Sequence, residues 1–183
     1  MFKTMYKKSL ILVAAVCVLS GFAYAENAKL APLMDKGTFA ANAGLSFGWG
    51  IGLGGGAEYV LARVDIADVL PLTFGAAGRG YFSAFGSYSV LDIAAMGTIH
   101  VGFKGLDLPE DLRRWIDPID YYAGLGLGYN VLGNDYWADR FPLGFATMSG
   151  ASYFLNDNLA INFEGGSMGG YWGYGMIGVL AKF

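Results

Sequence analysis

The sequence predicts an all-β fold, a closed eight-stranded antiparallel transmembrane β-barrel with one short periplasmic helix, preceded by a signal peptide. Three observations support it. The 183-residue chain is 55% hydrophobic and 16% aromatic. Beyond its N-terminal 25 residues it has no apolar run of the roughly 20 residues that a membrane helix needs. Its apolar residues instead alternate with small or polar ones, which is the two-residue period of β-strands.

The alternation gives each strand one bulky apolar face and one small or polar face. In residues 38–49, Phe39 and Leu45 share one face, Asn42 and Ser46 share the other, and neither face carries a charge. An uncharged surface suits lipid, so the apolar faces are predicted to meet the membrane and the polar faces the lumen. The predicted strands are 38–49, 54–65, 70–84, 89–103, 119–132, 141–155, 159–168 and 171–183.

One segment departs from this pattern and predicts a helix. It runs from Asp107 to Asp117, with Asp107 as the N-cap and Pro109 in the first turn. Its apolar side contains Trp115 and its basic side Arg114. We interpret it as a cap at the periplasmic rim of the barrel, and a partner-binding helix stays open as an alternative.

The N-terminus has the order of a secretory signal peptide. Three lysines precede an apolar run from Ser9 to Phe22, and small residues at Ala23 and Ala25 then mark a cleavage site. An uncleaved N-terminal anchor is the alternative. The predicted domains are 1–25, signal peptide; 26–37, periplasmic N-terminal segment; and 38–183, barrel.

Charge and cysteine content narrow the function classes. Cleavage after residue 25 removes three of the 12 basic residues and none of the 15 acidic ones, which leaves nine bases and a net charge of −6. That balance argues against nucleic acid as a partner, because nucleic-acid-binding proteins carry basic surfaces. Cys17, the only cysteine, lies in the predicted signal peptide, so disulfides are not expected.

The C-terminal strand ends at Phe183 and alternates apolar residues before it at Ile177, Val179 and Ala181. Together with the run at 150–164, this pattern resembles the small outer-membrane barrels of the OmpA, OmpX and OmpW type. The resemblance implies a Gram-negative cell envelope, outer-membrane lipid as surroundings, and recognition of the last strand by the barrel-insertion machinery.

Three charged residues are predicted to project into the lumen. Glu58, Arg79 and Glu164 fall on inward faces, and a buried charge is costly unless it is paired. We expect an ion-pair network centred on Arg79, which acts either as a plug or as a gate that opens when the pairs rearrange. Asp92 and His100 are expected to lie outside this network, nearer the outer and inner ends.

Large aromatic residues also fall on the inward faces. Tyr81, Tyr122, Trp172 and Tyr174 are candidates for packing against lumen glycines, because eight strands leave an interior that side chains can fill. A glycine-walled cavity for a small hydrophobic ligand, beside the glycines of 124–128, is the alternative.

The sequence gives no catalytic, metal or cofactor constellation. His100 is the only histidine, and it has no serine at workable spacing on its own strand. We therefore expect no enzyme activity and no cofactor. The predicted function is that of an integral outer-membrane barrel, structural or surface-interacting, with a filled lumen. The alternative is a narrow gated pore or conduit for small solutes or small hydrophobic ligands.

Overall fold

The computed structural model describes residues 32–48, 50–66, 70–86, 88–104, 108–133, 142–169 and 173–183. Within them, eight antiparallel strands pair in sequence order and close into a barrel through β8 and β1. The strands are β1 Phe39–Phe47, β2 Ile51–Ile66, β3 Leu70–Phe85, β4 Tyr88–Gly102, β5 Ile119–Gly133, β6 Leu143–Phe154, β7 Leu159–Ser167 and β8 Gly173–Lys182. Helix α1 spans Glu110–Ile116 between β4 and β5. The predicted closed barrel of eight antiparallel strands with one short helix is confirmed.

The strands are tilted, because their hydrogen-bond register shifts steadily around the barrel. Phe39 pairs with Tyr59, and a path from partner to partner through all eight strands returns to β1 displaced by about ten residues, a stagger that tilts the strands by about 35–45°. The even strand number places β1's start and β8's end together. We call this end the terminal rim and the other end the opposite rim.

Strand β2 starts earlier than predicted. The glycine-rich residues 51–53 lie outside the predicted strand 54–65, yet they pair with β1 and β3 from Ile51 onward. The glycines belong in the strand because the wall leaves no room for side chains there. A Cβ on Gly54 would overlap the ring of Tyr81 and lie 3.0 Å from the sulfur of Met176.

The outward wall is apolar between two belts of aromatic residues. On the described strands, no charged side chain lies at an outward position between the belts. Such belts are typical of the two interfaces of a membrane barrel. The aromatic residues, all at least 42% exposed, are Phe39, Tyr59, Tyr121 and Phe183 near the terminal rim and Phe47, Phe82, Tyr129 and Phe145 near the opposite rim.

The lumen is filled with side chains. Met96, Met148, Met168 and Met176 form a buried apolar cluster with neighbouring alanines and tyrosines. A second buried cluster at the terminal rim joins side chains of β1, β2, β6, β7 and β8 to Met34. Polar side chains lie between the two clusters and form the site described below.

The N-terminal segment closes the terminal mouth of the barrel. Met34 is 1% exposed and packs in the second apolar cluster. The segment is held by hydrogen bonds from Gly37 N to Val60 O, at 2.9 Å, and from Lys182 Nζ to Leu33 O, at 2.8 Å. Residues 32–37 therefore cross the mouth of the barrel and fold inward, and we call them the strap.

Helix α1 lies at the terminal rim, where the sequence predicts it, but it does not pack into the mouth of the barrel. None of its seven residues is buried. It begins at Glu110 with Pro109 in the N-cap position, and the predicted N-cap, Asp107, lies outside the described residues, as does the predicted signal peptide. In the described part of the chain, no helix is long and apolar enough to cross a membrane.

Candidate functional site: the polar layer of the lumen

Arg79 joins two carboxylates from different parts of the barrel. Its Nη2 lies 3.3 Å from Glu58 Oε2 on β2, and its Nε lies 3.2 Å from Glu164 Oε2 on β7. Nη1 donates to Ala57 O at 3.2 Å. All three charged side chains are buried. The structure thus brings together the three residues that the sequence placed in one network.

His100 belongs to the same network. Its Nε2 lies 2.7 Å from Glu58 Oε1, and its Nδ1 lies 2.7 Å from Asp120 Oδ2. Thr98 also donates to Glu58 Oε1. His100 is therefore held between two carboxylates, and through Glu58 it connects to Arg79.

The expectation that His100 lies outside the network is wrong, and strand tilt explains why. The backbone partner of Glu58 on β3 is Ala77, and the partner of Ala77 on β4 is Met96. Because the strands are tilted, this row of paired residues lies closer to the opposite rim with each strand from β2 to β4. Residues further along β4 towards the terminal rim therefore come level with Glu58. Asp92, in contrast, stays apart, and its Oδ1 accepts a bond of 2.8 Å from Asn130 Nδ2.

Glu164 is surrounded by tyrosine hydroxyl groups. Tyr122 donates to its Oε2 at 2.9 Å, and Tyr174 donates to its Oε1 at 2.9 Å. Tyr81 donates to Oε1 as well, and its ring lies 4.0 Å from that of Tyr174 between centroids. These three aromatic residues therefore satisfy a buried carboxylate besides filling space. The fourth candidate, Trp172, lies outside the described residues.

Asn162 extends the network to two further strands. Its Nδ2 donates to Tyr122 Oη at 2.8 Å and to Ser152 Oγ at 3.0 Å. Its Oδ1 accepts a bond of 3.2 Å from Asn42 Nδ2 on β1. Together with the contacts above, the network takes at least one side chain from each of the eight strands.

Several members of the network were not predicted as site residues. The signal that could have found them is the face that they share, because each is a polar residue at an inward point of the alternation. What the sequence could not supply is which of these positions meet across the lumen. The residues missed are Asn42, Thr98, His100, Asp120, Ser152 and Asn162.

The network, which we call the polar layer, contains more carboxyl groups than cationic groups. The carboxyl groups are those of Glu58, Asp120 and Glu164, and they face one guanidinium and one imidazole. Among the described residues, no group of three or more His, Cys, Asp or Glu is arranged to hold a metal ion. The geometry is that of a polar cross-link that joins strands.

The space beside the lumen glycines is occupied. A Cβ on Gly124 would lie 3.0 Å from the sulfur of Met96 and 3.1 Å from the methyl carbon of Met148. The hydrophobic ligand cavity considered from the sequence is thus filled by methionine at this point. A shallow depression of about 500 Å³ lies at β1, β6, β7 and β8, and the outward side chains of Phe47, Phe163 and Ile177 are among its lining residues.

Solved structures with a similar fold are distant in sequence. A de novo designed transmembrane β-barrel is 18% identical, covering 81% of this chain and 98% of its own, with a TM-score of 0.49. Ail, the attachment invasion locus protein of Yersinia pestis, is 12% identical over 81% of this chain and 100% of its own, with a TM-score of 0.47. The outer membrane protein OprG from Pseudomonas aeruginosa is 13% identical over 84% and 99%, also with a TM-score of 0.47. No protein-family model and no curated protein matches the chain.

Proposed function

We propose that this chain is an integral outer-membrane β-barrel with a closed lumen, which acts structurally or through contacts at its rims and wall. The observation that carries the proposal is the polar layer. Its buried charges are tied to each other and to all eight strands, and apolar clusters fill the lumen on both sides.

The outward wall supports a membrane location. Leu125 and Phe145 are 63% and 73% exposed on the outward wall, and the described strands place no charged side chain on that wall between the aromatic belts. In water such a surface would drive association, whereas in lipid it is stable. Export by the 1–25 signal peptide and insertion through the strand ending at Phe183 belong to the same proposal.

The proposal assigns no enzyme activity, no cofactor and no nucleic-acid partner. His100, the only imidazole in the sequence, is 3% exposed and has both ring nitrogens engaged by carboxylates. A general base must reach the proton that it removes, and this imidazole is enclosed.

The test is single-channel recording of the refolded protein in a planar bilayer, beside Arg79→Ala. For a closed barrel we expect no discrete openings in either protein. We also expect Arg79→Ala to lower the free energy of unfolding by about 3–5 kcal/mol, because it leaves buried carboxylates without their cation. Discrete openings in the folded wild-type protein would contradict the closed lumen.

A second candidate function is a narrow gated pore, and the two ion pairs of Arg79 favour it. Its guanidinium bonds Glu58 and Glu164 at once, so it could release one carboxylate and keep the other. A gate predicts openings in the wild-type protein whose frequency changes in Arg79→Ala. The variant Glu58→Gln/Arg79→Met/Glu164→Gln removes all three charges together and serves as the control for uncompensated charge.

A further inference from the structure

Helix α1 leaves its apolar face uncovered. Leu112 and Trp115 are three residues apart and share one side of the helix, and they are 51% and 65% exposed. The charged residues Glu110, Arg113 and Arg114 lie on the other side, and Asp111 lies at the edge of the apolar face, next to Trp115. A helix this amphipathic would bury its apolar face if the barrel offered a surface for it, but no residue of α1 is buried.

The helix stands next to the aromatic belt of the terminal rim. It connects the end of β4 to the start of β5. At those strand ends, the rings of Phe103 and Tyr121 make an edge contact on the outward wall, with centroids 5.9 Å apart. The segment that carries α1 is therefore joined to strand ends that contribute outward aromatic side chains to this belt.

We propose that α1 is an interfacial helix that binds the phospholipid leaflet at the terminal rim. Trp115 and Leu112 enter the boundary between headgroups and acyl chains, where tryptophan is favoured in membrane proteins. Arg113 and Arg114 contact headgroup phosphates, which guanidinium groups bind with strong charge-assisted hydrogen bonds. This inference rests on the proposed membrane location of the barrel.

Lipid fits this face better than a folded protein partner does. A specific protein interface needs about 800 Å² from each side, and two turns of helix with two large apolar residues present much less. A leaflet needs no such area, because it already surrounds the adjoining wall. The basic residues of the last turn complement phosphate, and the apolar pair complements the acyl chains.

The test is depth-dependent quenching of Trp115 in phospholipid vesicles. The other tryptophans are replaced in Trp49→Phe/Trp137→Phe/Trp172→Phe, which leaves Trp115 as the only reporter. We expect phospholipids brominated near the headgroup end of the acyl chain to quench it more than those brominated near the chain end. We also expect protection from acrylamide. Full quenching by acrylamide with no effect of brominated lipid would overturn the inference, and would leave a soluble partner as the occupant.

A second reporter separates this inference from the proposed function. Leu125 lies on the outward wall of β5, so Leu125→Trp in a background that also has Trp115→Phe reports on the barrel itself. If brominated lipid quenches this reporter but not Trp115, the barrel is in the membrane and α1 is not. If it quenches neither reporter, both proposals fail.

The role of the arginines has its own matched pair of variants. Arg113→Glu/Arg114→Glu reverses the charge, and Arg113→Lys/Arg114→Lys keeps it, in the background where Trp115 is the only tryptophan. We expect the first to lower lipid quenching of Trp115 about twofold or more in vesicles that contain anionic phospholipid, and the second to retain it. Equal quenching in both variants would contradict the phosphate contact.

Discussion

Glu164 illustrates how single residues hold this barrel together. Its two oxygens accept bonds from Tyr81, Tyr122 and Tyr174 and pair with Arg79. A buried carboxylate without partners would be expensive, and these groups remove that cost. Because the donors come from β3, β5 and β8 and the acceptor from β7, each bond also fixes one strand against another.

Removal of one hydroxyl group tests this role. Tyr122→Phe deletes the donor to Glu164 and the acceptor of Asn162, and we expect it to lower the free energy of unfolding by about 1–3 kcal/mol. Tyr121→Phe is the control, because this neighbour on β5 faces outward, and its effect should stay within about 0.5 kcal/mol. Urea titration in detergent measures both, and equal losses would contradict the assignment.

The N-terminal segment, residues 32–37, has a structural role that the sequence did not predict. Residues 32–37 were expected only to precede the barrel, yet Met34 is inserted into its mouth. The turn that brings the chain back to β1 uses Gly37 at a φ of 90°, a conformation that glycine adopts without strain. The end of the segment is continuous with β1, and the buried side chain of Met34 anchors its middle.

Met34→Ala should therefore detach the segment and leave the barrel folded. We expect the amide hydrogen of Gly37, which bonds Val60 O, to exchange about tenfold faster or more, because a buried methionine contributes about 2 kcal/mol or more. Lys36→Ala, at an exposed position in the same segment, is the control. Unchanged exchange in Met34→Ala would mean that Met34 does not hold the strap.

At the scale of the whole molecule, closure and the apolar wall act together. The pairing of β8 with β1 leaves no unpaired strand edge, so the backbone polar groups of the wall are satisfied within the barrel. The same closure divides the side chains between an outward wall and a crowded lumen. The wall is apolar between its belts, and the lumen holds a polar layer between two apolar clusters.

A depth series tests the orientation of the wall. Leu125→Arg places a charge about midway between the aromatic belts and should cost about 2–4 kcal/mol in a bilayer. Leu155→Arg places the same charge beyond the end of β6 at the terminal rim and should cost about 0–1 kcal/mol. Unfolding from lipid vesicles measures both, and equal costs would mean that lipid does not contact the wall as proposed.

The barrel fold could be predicted from the sequence alone. Alternation showed which side chains face outward along most of each strand, because the period of a strand is two residues, although the bulge after Val60 interrupts it in β2. It also placed Glu58, Arg79 and Glu164 on the inward side. These are local properties that each strand displays on its own.

Which inward residues meet across the lumen depends on the tertiary structure. The stagger of the strands brings His100 and Asp120 to Glu58, and Tyr122 and Tyr174 to Glu164, from positions that are distant along the chain. It likewise decided that Met34, and not helix α1, closes the terminal mouth. Alternation shows which face of its strand a residue occupies, but not its position along the barrel axis. That position depends on the strand tilt, which is set by closure of all eight strands.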